Sequence, residues 1–136
     1  MKIWQFCVNE DGTAVLLARV CASSGSTTPI VGEGYPIVQA NVSTITYSVF
    51  DMDNDNAAIL SAQSLTVSAV IFDTLQDTAG YVWTADSLGY NFKHTLPITA
   101  FPTGGHTYRY EAKFTMSDAG VTWIAANCKA NTLFTS

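Results

Sequence analysis

The sequence predicts an all-β, antiparallel sandwich, and three observations carry that expectation. Period-two alternation of apolar and polar residues recurs along the chain, Ser and Thr outnumber the helix formers Glu, Lys and Arg, and no stretch sustains an apolar stripe of period 3.6. With 136 residues, 48% hydrophobic and 12% charged, the chain is too apolar for disorder. Its length suits one core closed without metal or disulfide staples.

Taken in order, Ile3 to Val8 and Ala14 to Ala22 flank Asn9-Glu10-Asp11-Gly12, the composition of a β-hairpin with glycine where positive φ is needed. Its apolar residues, Trp4, Phe6, Leu16, Leu17 and Val20, must be covered either by the same sandwich or by a neighbouring molecule. Ser23 to Pro29, followed by Gly32, Gly34 and Pro36, reads as an extended connector. Residues 1–36 are therefore expected to form the hairpin and connector, as part of the same unit or as an arm, and residues 37–136 the sandwich. Within the sandwich, Ile45, Tyr47 and Val49 alternate with Thr44, Thr46 and Ser48, which predicts a strand from Ser43 to Phe50. Leu65 to Phe72 drifts toward continuous apolarity and predicts a more central strand. Tyr90, Phe92, His94 and Leu96 share one face of another, and Tyr108 to Met116 alternates most clearly of all, against Thr107, Arg109, Glu111, Lys113 and Thr115. Val121-Thr122-Trp123 restarts the alternation, with Trp123 expected in the core. Turn chemistry at 51–56, 86–89, 102–105 and 118–120 separates these runs.

Six Lys and Arg against eleven Asp and Glu leave a net charge of −5, the wrong sign for gripping nucleic acid or an anionic membrane. No apolar run reaches the roughly 18 residues of a membrane span, and the opening residues meet Asn9-Glu10-Asp11 too soon for a signal peptide, so cytoplasmic synthesis is expected. Cys7, Cys21 and Cys128 are an odd number without CxxC spacing. Buried reduced thiols are expected; Cys7 and Cys21 could face each other across the hairpin, but a reducing compartment argues against a bond.

Little in the sequence points to chemistry. Asp51, Asp53 and Asp55 stand at alternate positions, as in the opening of a calcium loop, which makes them a calcium candidate. The remainder of that pattern fails, with Asn56 in place of glycine and Ala62 in place of the bidentate Glu; a solvated turn is the competing reading. His94 and His106 have no adjoining nucleophile, and Asp73, Asp77 and Asp86 read as turn residues and not as a hydrolytic pair. There is no GxSxG, phosphate loop or HExxH, so a non-enzyme is expected and no catalytic residue is named. Tyr35, Tyr81, Trp83 and Tyr90 fall near loops or strand edges, where a ring can stack on a sugar or a protein; Trp83 is the best of them, with capping of the core as its structural alternative.

Gly89-Tyr90-Asn91-Phe92-Lys93-His94-Thr95-Leu96-Pro97, Phe101-Pro102, Gly104-Gly105 and Tyr108-Arg109-Tyr110 together resemble immunoglobulin-like or fibronectin-type sandwiches over residues 40–128, without the cysteine, tryptophan, cysteine signature. Val49-Phe50-Asp51 and Ile71-Phe72-Asp73, taken with Gly-Tyr-Asn-Phe, are similar to small sandwich domains of tailed-phage virions. The resemblance implies an antiparallel Ig-like β-sandwich with an N-terminal β-hairpin and extended connector. It also implies a structural role: a capsid decoration (cement) protein or a neck, tail or baseplate accessory, made in the host cytoplasm and held in the virion. Its partners would be capsid or other virion proteins or further copies of itself, with neither nucleic acid nor membrane, and Trp4, Phe6, Tyr35, Tyr81 and Trp83 are the candidate contacts. The competing reading is a carbohydrate-binding or adhesion module, assisted by calcium.

Overall fold

A computed structural model describes residues 2–4, 8–9, 11–25, 28–76 and 83–133, those before residue 11 by their backbone alone. The chain is all-β. Its strands are β1 (Lys2–Trp4), β2 (Val8–Asn9), β3 (Ala14–Arg19), β4 (Cys21–Ala22), β5 (Tyr35–Pro36), β6 (Val42–Asp51), β7 (Ala57–Leu65), β8 (Ile71–Gln76), β9 (Tyr90–Leu96), β10 (Thr107–Met116) and β11 (Val121–Asn131). A four-stranded sheet runs β1-β3-β9-β8, a five-stranded sheet runs β2-β11-β10-β6-β7, and β4 and β5 form a separate short ladder. Pairing is antiparallel except between β2 and β11.

The inner faces of the two sheets meet in one core. Leu16 and Ala18 of β3 and Phe92 and Leu96 of β9 join Ile45 and Val49 of β6, Tyr108, Ala112 and Phe114 of β10, and Ile124 and Ala130 of β11. The rings of Phe92 and Phe114 meet edge to face across the sheets at 5.2 Å. Burying a side chain of this size contributes about 1.5–3 kcal/mol, so the alternation of β10, buried at every second residue, is what aligns the sandwich. The loop before β10 is tied down by the Tyr108 hydroxyl, which accepts from the Thr103 N–H at 2.8 Å and donates to the Thr103 carbonyl at 3.2 Å. The buried Asn91 continues the sheet by side chain: its Oδ1 accepts from the Val20 N–H, and its Nδ2 donates to the carbonyls of Val20 and Ile37.

The structure corrects two expected elements. The expected front hairpin holds for Ile3 and Trp4, which pair antiparallel with Ala18 and Leu17, but not for Val8. β3 lies inside the four-stranded sheet between β1 and β9, while β2 joins the other sheet beside β11, so the front of the chain contributes to both layers. Nor is Leu65 to Phe72 one central strand. β7 ends at Leu65, a one-turn helix α1 (Val67–Val70) follows, and β8 begins at Ile71. The apolar run arises because Leu65, Val67, Val70 and Ile71 reach the core from three successive elements.

Candidate functional site

Because β10 buries Tyr108, Tyr110, Ala112, Phe114 and Met116, period-two geometry sends Thr107, Arg109, Glu111, Lys113 and Thr115 to the outer face of the five-stranded sheet. The register then builds rows across that face. Phe50, Arg109 and Asn127 form one; Ser48, Glu111 and Ala125 the next; Thr46, Lys113 and Trp123 a third; Thr44, Thr115 and Val121 the fourth. Trp123 is 56% exposed and Val121 and Met52 are also exposed, so the face carries uncovered apolar area among charges.

Those charges hold one another in place. The Arg109 Nε donates to Glu111 Oε2 at 2.7 Å, and an Arg109 terminal nitrogen reaches Asn127 Oδ1 at 3.4 Å. Lys113 Nζ lies 5.7 Å from the centre of the Trp123 ring, within cation–π reach. Two shallow depressions open beside Arg109 and Glu111. One, of about 240 Å³, is lined by Arg109, Glu111, Trp123, Ile124 and Ala125; the other, of about 400 Å³, by Phe50, Met52, Asn56, Arg109 and Glu111. A flat, half-apolar sheet face with fixed charges is suited to holding a macromolecular surface, and it presents no deep cleft to enclose a small reactant.

Trp123 is therefore corrected from core to surface. The signal was present in the sequence: Asn127 and Lys129 share its parity along β11, whereas Ile124, Ala126, Cys128 and Ala130 share the other. Trp83 is corrected in the opposite direction. Its side chain is fully buried against Leu17 and Tyr90, with Val15 and Phe72 beside them, so it has no surface to offer a partner. Its Nε1 donates to Asp86 Oδ1 at 3.0 Å. Tyr90 is likewise buried, and Tyr35 is half-buried in β5. Tyr81, Phe6 and the side chain of Trp4 lie outside the described residues.

The same Asp86 belongs to a charge cluster that local reading missed. Arg19, with no exposed surface, donates from two nitrogens to Asp86, from two to Glu33 and from one to the Gly89 carbonyl. The Arg19 guanidinium holds the carboxyls of both Asp86 and Glu33 below their usual range. This buried cation pins the turns at 33 and 86–89 to β3; one Arg inside the apolar run 14–22 was the available sign of it.

Of the calcium candidates, Asp51 is 3% exposed at the end of β6 and accepts from or faces His106 Nδ1 at 2.8 Å. Asp53 Oδ2 accepts from the Thr107 N–H at 2.7 Å, and Asp55 is exposed with φ +53°. These contacts direct Asp51 and Asp53 to different partners, and among the described residues no group of three His, Cys, Asp or Glu is arranged to hold a metal ion. His94 is buried beside Tyr110 and belongs to the core.

Comparison of the chain with family models, with curated proteins and with solved structures found no match.

Proposed function

We propose that the chain is a non-enzymatic structural protein of a tailed-phage virion, a capsid decoration (cement) protein or another head, neck or tail accessory, that works through protein–protein contacts. The observation that carries the contact role is Trp123, 56% exposed on the outer face of the five-stranded sheet among Arg109, Glu111 and Lys113. Aromatic and Arg side chains of this kind are the usual energetic centres of protein interfaces. The two strand orders parallel the two-sheet arrangement of immunoglobulin-like modules, and the Tyr108 hydroxyl holding Thr103 parallels their tyrosine corner; both support the Ig-like part of the reading. The virion part rests on the resemblance carried by Val49-Phe50-Asp51, Ile71-Phe72-Asp73 and Gly89 to Phe92.

Sedimentation of assembled phage particles with the purified chain tests the reading. The chain is expected to travel with the particles and Trp123→Ala to stay in the supernatant. Absence of the wild-type chain from every particle fraction would overturn it. The carbohydrate reading draws on the same tryptophan, because Arg109, Glu111 and Asn127 place hydrogen-bonding groups beside an open ring. A glycan array probed with the wild type and Trp123→Ala separates the two.

A further inference from the structure

We propose that residues 83–89 form a latch over β3 that opens and closes as one unit, ahead of global unfolding, with the Asp86 carboxylate joining its two points of attachment.

This segment is held down differently from the strands around it. The β8–β9 ladder ends at Gln76 and Tyr90, and among the described residues 83–89 make no backbone–backbone hydrogen bond to another element. Thr84, Ala85, Ser87 and Leu88 are exposed. Two attachments remain. At the first, the Trp83 ring is fully buried against Leu17 and Tyr90, with its centre 5.8 Å from that of the Tyr90 ring. At the second, the Asp86 carboxylate accepts from two Arg19 nitrogens at 2.8 and 2.5 Å, and the Gly89 carbonyl accepts from Arg19 at 3.0 Å. Leu17 and Arg19 stand two positions apart on β3, so both attachments land on one face of the four-stranded sheet, the face turned away from the sandwich core.

The two attachments share a single group. Asp86 Oδ1, which accepts from Arg19, also accepts from the Trp83 Nε1–H at 3.0 Å and from the Leu88 N–H at 3.0 Å. Withdrawing the indole therefore pulls the carboxylate off the guanidinium, and freeing the guanidinium loosens the acceptor that fixes the indole, so the two let go together. What lies beneath survives the release. Leu17, Trp83 and Tyr90 form a cluster separate from the sandwich core, which Leu16 and Ala18 reach from the opposite face of β3. Nor does opening leave Arg19 without a carboxylate, because Glu33 still accepts from its Nε and from one terminal nitrogen. Both sheets and their shared core stay in place when the latch lifts, which is the condition for an opening below the global free energy.

Native-state hydrogen exchange of the full chain, followed by NMR from zero to about 2 M urea, tests the inference. The Trp83 Nε1–H is expected to be at least about tenfold less protected than the buried β10 amides of Ala112 and Phe114, at a rate that low urea hardly changes, because little surface opens. The β10 amides should follow the steep urea dependence of global unfolding. Arg19→Lys leaves the Trp83–Asp86 bond untouched but cannot fork onto two carboxylates, and should speed exchange of the Trp83 Nε1–H at least about tenfold. Asp86→Asn keeps an acceptor for the indole while removing the charge, and should speed it about 100-fold. In both variants the β10 amides should keep their urea slope. A wild-type Trp83 Nε1–H that follows the β10 amides at every urea concentration overturns the latch, and that series decides the matter even where a variant fails to fold. A rate unmoved by Arg19→Lys in a folded protein overturns the single unit, because the ring then moves without the ion pair.

Discussion

Acid should destabilise this protein through His94 well before its carboxylates are involved. The imidazole is 5% exposed between the sheets, with Nδ1 2.9 Å from the Tyr110 hydroxyl, the Tyr47 ring edge-on at 4.4 Å and Phe92 nearby. None of these neighbours offers a negative charge to a protonated ring, and burial pushes the His94 pKa from 6.5 down to about 4. The unfolded chain therefore takes up a proton at a pH where the folded chain does not. Stability is complete above pH 6.5, falls as pH drops toward 4, and levels off below, because the folded state then binds the proton too. At 1.36 kcal/mol per pH unit the total is about 3 kcal/mol, of which roughly 2.5 kcal/mol is lost between pH 7 and 4.5. The carboxyls of Asp86 and Glu33, held low by Arg19, contribute stability that is lost mainly as pH falls below about 4.5, at and beyond the lower edge of this window. Urea midpoints measured at half-unit steps from pH 7 to 4.5 read the effect directly. His94→Gln, which cannot titrate, should start from a lower midpoint and lose most of the slope. A flat wild-type profile, or an equal slope in the variant, would refute the reasoning.

Other perturbations follow from the same packing. Asp86→Ala leaves the buried Arg19 with one of its two carboxylate partners, Glu33, and removes the Trp83 N–H acceptor, and should cost about 3 kcal/mol in chemical denaturation, the lower end for a broken buried pair because Asp86 is 23% exposed. Gly34→Ala should be as damaging: Gly34 sits at φ +103° and an added Cβ would meet the Ala22 carbonyl oxygen at 2.6 Å, so calorimetry should show a Tm loss of roughly 10 °C. Tyr108→Phe removes both bonds to Thr103 and should cost about 1–2 kcal/mol by the same denaturation assay, with secondary structure unchanged by circular dichroism. Trp123→Ala should leave the unfolding midpoint within about 0.5 kcal/mol of wild type, since the ring is 56% exposed on the outer sheet face.

Much of the fold is legible locally. β10 throughout, and β9 from Phe92 to Leu96, alternate because one face lies on the core and the other in water, so a two-residue period appears in the letters themselves. The apolar run at 65–72 misleads for the converse reason: a strand end, a helical turn and a second strand start each send a residue inward, and their sum imitates one buried strand. The candidate site was less legible. Tryptophan is usually buried, and three residues from Val121 to Trp123 cannot say which face of β11 is inside; the parity of Asn127 and Lys129, eight residues on from Val121 at the far end, does. Trp83, in an irregular segment, had no period at all to place it.

By itself the sequence determined that the chain would be antiparallel β, where β6, β9 and β10 begin and end, and which of their residues share a strand face, since these follow from side-chain alternation and turn chemistry within a few residues. Only the tertiary structure decided which of two possible faces was covered, that the first strands divide between two sheets, and that Arg19 finds Asp86 across 67 positions of chain. Burial depends on what packs opposite, and the opposing layer comes from distant parts of the chain; local pattern can propose two faces but cannot supply the second layer that chooses between them.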